Sequence, residues 1–359
     1  MLLIGLGLLL LVYILVVRWR LVRRVNERDL LPDDLPEAAH GVEAWLRLRD
    51  MQDAPLQPGC ESSVSWAQTP GMVTDICILN LHGWGASPLE LSPVQMHIAR
   101  CLGANLLTFR NTAHGLRPME RGGEALVNEQ SHMQLRRDAA VAHALARRLG
   151  TRVVILGCST GASLALWLSA QSWVRGNAAL VLLSPGFRLK LHPIAWAIAS
   201  WLVVLLPRAG SRALLTLVNG GPLKTPQAAL KPGKHGEAQM RCWTRVYPIE
   251  AVRSVIELYV LVGLTVPLEH IRVPVLALGH PGDKTVSFEA TRRAIARMPR
   301  ATLRLVDGAD NHHIISGRIA SPGTIDFVVR EVLAFLEREC GAVASVPQEP
   351  FDEEWDTVK

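Results

Sequence analysis

Residues 153–168 read Val153-Val154-Ile155-Leu156-Gly157-Cys158-Ser159-Thr160-Gly161-Ala162-Ser163-Leu164-Ala165-Leu166-Trp167-Leu168. A short β-branched, wholly apolar run passes into Gly-x-Ser-x-Gly and then into an apolar run of good helix formers. That order predicts a buried strand, a tight turn and a helix, with Ser159 on the turn. Small residues two positions either side of the serine let such a turn close. The N–H groups at the start of the following helix face any negative charge that develops nearby. The chain contains one such match, and its context makes Ser159 the candidate nucleophile.

Working outward, residues 76–81, 105–109, 178–184, 273–279 and 302–308 form further short apolar runs that read as strands. Helices are expected over 88–103, 131–149, 162–171 and 329–339, with Gly103 as a C′ residue. Continuous apolar strands separated by helices predict an α/β fold with a mostly parallel sheet covered on both faces. Residues 186–268 break this rhythm. They contain the almost wholly apolar IAWAIASWLVVLLP (194–207), a Gly/Pro/Lys-rich stretch, and the helical pattern IEAVRSVIELYVLVG. This segment is expected to be a helical cap inserted over the sheet.

Hydrophobic residues make up 49% of the 359 residues and charged ones 19%, which excludes disorder for most of the chain. The mean hydropathy of +0.20 is high for a soluble enzyme, and the N-terminus contributes to it. Residues 1–17 carry no charge and would span about 25 Å as a helix, close to a hydrocarbon core of about 30 Å. Arg18, Arg20, Arg23 and Arg24 follow, with Trp19 among them. A cleaved signal would carry its charge before the apolar run and small residues after it, so an uncleaved transmembrane anchor over 1–20 is expected. The positive-inside rule then places the catalytic domain in the cytoplasm. The six scattered cysteines (Cys60, Cys77, Cys101, Cys158, Cys242, Cys340) form no CxxC pair and read as free thiols of a reducing compartment. The basic cluster suits an anionic bilayer, and with no basic stripe interleaved with aromatics elsewhere, nucleic acid is not an expected partner. Residues 21–40 read as a linker, 41–341 as the α/β domain, and 342–359 as an acidic, disordered tail.

A serine nucleophile needs a base and an acid to orient it. Downstream of the 273–279 strand stands His280-Pro281-Gly282-Asp283, and Asp283 is the candidate acid. As a phosphate loop this stretch fails, because its glycines are wrongly spaced. After the 302–308 strand comes Asp310-Asn311-His312-His313, and one of the two histidines is the candidate base. Asp307 and Asp310 are too close in sequence to the histidines to be the acid. Adjacent histidines aim poorly at one ion, so neither metal nor cofactor is expected. Upstream, His82-Gly83-Trp84-Gly85 follows the 76–81 strand, with His82 shaping the loop and Trp84 and Thr160 supplying backbone N–H groups for an oxyanion.

Taken together, these residues resemble the α/β-hydrolase superfamily over about residues 70–340, and more closely its monoacylglycerol-lipase, carboxylesterase and serine-aminopeptidase-like branch. In that branch the base precedes an aliphatic pair and a small polar residue. His313-Ile314-Ile315-Ser316 matches, which selects His313 over His312, and Asp283 matches the acid. The loop after residues 105–109 departs from the usual Asp-x-Arg-Gly-His-Gly, keeping only His114-Gly115. The resemblance implies an α/β-hydrolase fold with a cap and hydrolysis of small carboxylic esters, of acylglycerol or lysolipid type, through an acyl-enzyme. Thioesterase, peptidase or acyltransferase chemistry on the same scaffold, and a noncatalytic lipid-binding membrane protein, are the alternatives. The oligomeric state is not legible.

Overall fold

The computed structural model describes residues 11–17, 19, 21–22, 25–53, 55–224, 238–239 and 241–343. In chain order its strands are β1 (Ser63–Ser65), β2 (Thr74–Leu81), β3 (Asn105–Phe109), β4 (Gly150–Cys158), β5 (Asn177–Leu183), β6 (Leu223–Lys224), β7 (Tyr247–Pro248), β8 (Val275–Gly279) and β9 (Ala301–Leu305). Seven of them form one sheet in the order β1-β3-β2-β4-β5-β8-β9, with β1 alone antiparallel to its neighbour. The helices are α1 (Val42–Asp53), α2 (Val94–Cys101), α3 (Met119–Asn128), α4 (His132–Leu149), α5 (Thr160–Ser169), α6 (Pro193–Leu205), α7 (Arg208–Asn219), α8 (Arg253–Thr265), α9 (Phe288–Ile295) and α10 (Ile325–Cys340).

The strands read as continuous apolar runs because both faces are covered. Leu79, Leu81, Val153, Ile155, Leu180 and Leu182 enter one core with α4, α5 and α8. Their alternates Ile78, Val154, Leu156, Val181 and Leu183 enter the other, with α2 and α10. The parallel register sets Leu81 beside Gly157, Cys158 beside Leu183, and Leu183 beside Leu278. The loops after β2, β4, β5 and β8 therefore emerge together at the carboxyl edge, where open α/β sheets hold their ligands.

Helix α4 matches its expected range and is capped by Ser131, whose Oγ accepts the Gln134 N–H at 3.1 Å. The helix expected over 88–103 is shorter. Residues 86–92 fold as successive turns, Pro93 takes the N-cap position, and α2 occupies only Val94–Cys101. Gly103 follows it at φ +56°. Helix α3 was not anticipated, because Gly122-Gly123 interrupts its pattern.

Between β5 and β8 the described residues carry helices α6, α7 and α8. Helix α8 is buried nearly all round, from Ser254 to Val262. Helix α6 buries only Ser200, Val203 and Val204, leaving Ile194 64% and Ile198 58% exposed. Residues 11–17, 19 and 21–22 are helical, and the Tyr13 hydroxyl donates to the Leu205 carbonyl at the end of α6. Among the described residues no helix is long and apolar enough to cross a membrane. Much of the expected anchor (residues 1–10, Arg18 and Arg20), Arg23 and Arg24, and the tail from 344 lie outside the described residues. Within the stretch read as a linker, Leu21, Val25, Leu30 and Ala39 are buried against the main core.

Where the resemblance expects an aspartate after β3, Arg110 is fully buried. It reaches back to α1, bonding Asp50 through Nε at 3.1 Å and Nη2 at 2.9 Å, and Asp53 at 2.7 Å. Asp50 also accepts the Ser62 N–H at 2.6 Å, so one carboxylate ties α1, β1 and β3 together. Removing one partner of a buried pair strands the other charge. Asp50→Ala is expected to lower unfolding free energy by about 3 kcal/mol, against about 1 kcal/mol for Ser131→Ala. Urea denaturation of the two variants measures both, and equal losses would contradict the assignment.

Candidate active site

Ser159 sits between β4 and α5 at φ 50°, ψ −112°, a region that L-residues occupy only under constraint. Close packing supplies the constraint. A Cβ on Gly157 would stand 2.7 Å from Ala162 backbone atoms, and one on Gly161 would stand 2.0 Å from the Leu81 carbonyl oxygen. Only glycines at both positions let the turn close against the end of β2. Cys158, the last residue of β4, packs into the core behind the turn. Burial, with Glu90 alongside, pushes its thiol well above the ordinary range.

The structure brings Ser159, His313 and Asp283 into one line. The Ser159 hydroxyl lies 3.0 Å from His313 Nε2, and His313 Nδ1 lies 2.8 Å from Asp283 Oδ2. The other carboxylate oxygen of Asp283 accepts the Thr285 and Val286 N–H groups at 2.7 and 2.9 Å, which fixes its plane. Asn311 Oδ1 holds the histidine loop by accepting the His313 and Ile314 N–H groups, both at 2.9 Å. His312 faces elsewhere, stacked on His280 at 3.8 Å with Nδ1 3.3 Å from the Gly282 carbonyl. Asp307 and Asp310 are exposed.

The loop after β2 lies against the nucleophile, since a Cβ on Gly83 would stand 3.4 Å from Ser159 Cβ. His82 is fully buried. Its Nε2 accepts the Asn111 N–H at 3.0 Å, so the proton sits on Nδ1 and is donated to the Gly83 carbonyl at 2.8 Å. Likewise His114 Nε2 accepts the Gly85 N–H at 2.9 Å, with Nδ1 2.9 Å from the Thr112 carbonyl. Burial holds His82 well below the ordinary imidazole range and brings His114 down to about 4. Both rings are neutral fixtures of the loop, as expected for His82. Among the described residues the Trp84 N–H takes no acceptor, and Thr160 opens α5, where the N–H has no partner within the helix.

Two residues near Ser159 escaped the sequence reading. Glu90 is buried, its Oε2 accepts the Gly83 N–H at 2.7 Å, and burial raises its carboxyl. Tyr259, buried on α8, places its hydroxyl 3.3 Å from Thr160 Oγ1, and a Cβ on Gly186 would stand 2.1 Å from that hydroxyl. A lone acid in the apolar run PLELSP was the available signal for Glu90. For Tyr259 there was only its being one of three tyrosines. Among the described residues no group of three or more His, Cys, Asp or Glu is arranged to hold a metal ion.

The profile of the alpha/beta hydrolase family matches residues 78–318, from β2 past His313. Comparison with curated proteins finds no match. Among solved structures, the chain is similar to a metagenome-derived lipolytic enzyme of the LipS and LipT pair, at 16% identity and TM-score 0.58, covering 79% of this chain and 99% of that one. It is similar to monoglyceride lipase from Saccharomyces cerevisiae, at 14% identity and TM-score 0.52, covering 80% and 92%. A monoacylglycerol lipase from Paleococcus ferrophilus aligns at 15% identity and TM-score 0.52, covering 77% and 98%. At such identities the likeness is one of fold. The family profile, spanning well over half of the chain and taking in the serine turn, the Asp283 loop and the histidine loop, shows that this protein belongs to the alpha/beta hydrolase family.

Proposed function

We propose that this protein is a membrane-associated serine hydrolase that cleaves carboxylic esters of the acylglycerol or lysolipid class. The observation that carries this reading is the unbroken line from Ser159 Oγ to His313 Nε2 at 3.0 Å and from His313 Nδ1 to Asp283 at 2.8 Å, ending on a strained turn. In the reaction His313 takes the Ser159 proton as Oγ attacks the ester carbonyl. Asp283 keeps the imidazole in the tautomer that accepts at Nε2 and stabilises the imidazolium that forms. The Trp84 and Thr160 N–H groups receive the oxyanion. His313 returns the proton to the departing alcohol, an acyl-Ser159 ester is left, and the same imidazole then activates water to release the carboxylic acid.

The lipid character of the substrate is inferred from the cap. Helix α6 turns Ile194, Ile198 and Leu202 outward, and Leu11, Leu15 and Trp19 of the neighbouring N-terminal helix are exposed as well. Trp196 of α6 contacts the Tyr259 ring, 6.4 Å between centroids, and Tyr259 in turn adjoins Thr160. This places an apolar outer surface and an aromatic path on the same cap. Each chain methylene moved from water into such surroundings contributes about 0.8 kcal/mol. The uncharged residues 1–17 and the arginines after them hold the protein at an anionic bilayer, with the domain on the cytoplasmic side.

Ser159→Ala is expected to abolish both ester turnover and fluorophosphonate labelling while unfolding at the same denaturant concentration as the parent. His313→Ala is expected to lower kcat by several orders of magnitude, and His312→Ala by less than about tenfold. Exchanged effects of the two histidine variants would reassign the base. Because its buried thiol stays protonated at neutral pH, Cys158 is expected to resist iodoacetamide in the native protein, leaving activity intact. Rapid inactivation that Cys158→Ala prevents would refute a serine mechanism. Finally, kcat/KM is expected to rise with acyl length, and Ile198→Asp to weaken sedimentation with anionic vesicles while sparing hydrolysis of a soluble acetate ester. A flat chain-length profile would remove the case for a lipid substrate.

A further inference from the structure

Within the cap, ahead of α8, residues 241–244 pass close to the loop that follows β2, and each of these four residues is bonded to the lower body of the enzyme. The Arg241 carbonyl accepts the Cys60 thiol at 3.3 Å, and Cys242 Sγ accepts the Ser87 hydroxyl at 3.6 Å. The Trp243 indole N–H points to Glu90 Oε1 at 3.4 Å, and the Thr244 N–H donates to the Gly85 carbonyl at 2.7 Å. Three of these four contacts fall on residues 85–90, within the loop that carries Trp84 and its flank. On the inner side of that loop, Glu90 Oε2 holds the Gly83 N–H at 2.7 Å. The peptide that bears the Trp84 N–H is thus held from both sides. His82 holds its carbonyl, Glu90 the N–H before it, His114 the Gly85 N–H after it, and Thr244 the Gly85 carbonyl.

Two of these four supports depend on the cap, one directly through Thr244 and one through Glu90, which bridges Gly83 and Trp243. Gly83 is pressed between them and the nucleophile, because a Cβ there would meet Glu90 Oε1 at 3.0 Å and Ser159 Cβ at 3.4 Å. Room for slack is absent, so a change at Glu90 reaches the donor peptide directly. A buried carboxyl is costly to keep merely to satisfy one N–H, which a neutral side chain would serve as well. Bridging two donors from different parts of the chain is what a carboxyl offers in addition.

We infer that Glu90 is a positioning residue that clamps the oxyanion loop to residues 241–244 of the cap, so that the Trp84 N–H is held in its working place only while the cap is seated. The inference rests on Trp84 as an oxyanion donor, which belongs to the reading above. It deepens that reading, because it makes the same cap that meets the acyl chain a part of the charge-stabilising apparatus.

The test measures the second-order rate constant for phosphonylation of Ser159 by a fluorophosphonate, whose P=O oxygen occupies the oxyanion site. The full-length protein in detergent is used, and kcat and KM on a soluble short-chain ester are measured alongside. Removing one oxyanion donor outright costs about 10²–10³-fold, so displacing it by Glu90→Ala is expected to slow labelling about 100-fold. Trp243→Phe removes the indole N–H while keeping an aromatic ring, with some loss of ring area, and is expected to slow it about fivefold. Glu90→Gln keeps an acceptor for Gly83 and loses the one for Trp243, so it should match Trp243→Phe. The changes should appear in kcat with KM unaltered. The decisive comparison is the double variant, since Trp243→Phe should add nothing once Glu90 is replaced. If Glu90→Ala does not fold, the same cycle is closed with Glu90→Gln. Multiplying losses, or parent-like labelling in both Glu90→Gln and Trp243→Phe, would overturn the clamp. Failure of the parent itself to label would instead overturn the serine mechanism.

Discussion

The contact of Gly161 with the Leu81 carbonyl is the constraint on which the rest of this structure depends. The parallel register brings the ends of β2 and β4 level, and the chain must then reverse from strand to helix in the space between them. No side chain fits at 157 or 161, and Ser159 is forced into a positive-φ conformation whose cost is borne by the packing of α5 between two buried layers. The glycines two positions either side of the serine leave its side chain free to face His313. Loops from four strand ends then need only short excursions to reach it, which is how residues spread from Trp84 to His313 come to share one small volume.

The polar groups around that volume divide by charge and by duty. Asp283 steadies its own loop, and Asn311 the histidine loop, by accepting backbone N–H groups, while neutral His82 and His114 organise the opposite loops by accepting them through Nε2. Arg110 stands one layer further out, anchoring the β3 exit to α1, and its guanidinium also donates to the His114 carbonyl at 3.0 Å. A departure from the family pattern after β3 is thus compensated by a buried arginine that keeps the His114 loop in place.

Much of this was legible in the sequence. Ser159, Asp283 and His313, which the structure brings within hydrogen-bond reach of one another, could be named because each lies on a loop after an apolar strand, where the chemistry admits few residue types. The mostly parallel sheet and its covering helices were readable for similar reasons. What escaped has a common cause. Glu90 acquires its role from Trp243, more than 150 residues away, and Tyr259 acquires its own from Gly186 and Thr160. No local pattern encodes such pairings. Helix α3 was hidden by paired glycines that the turn of residues 246–247 requires, a Cβ on Gly123 meeting the Val246 carbonyl oxygen at 2.4 Å. The apolar character of residues 1–17 was plain, whereas the burial of Leu21 and Val25 against the core depends on what lies across from them.

The neutral histidines have a consequence for the pH range over which the fold persists. His82, His114 and His143 are all held below the ordinary imidazole value, the last two to about 4, whereas in an unfolded chain each would titrate near 6.5. Above about pH 6.5 they are neutral in both states and folding carries no protonation penalty. As the pH falls from there towards 4, the unfolded chain takes up protons that the fold refuses, and stability is lost progressively over that window. Two of the three lie beneath the loop that carries Trp84, so acid would loosen this loop along with the rest of the fold. Such a fold is at its most stable near neutral pH, and acid undoes the loop and the core together.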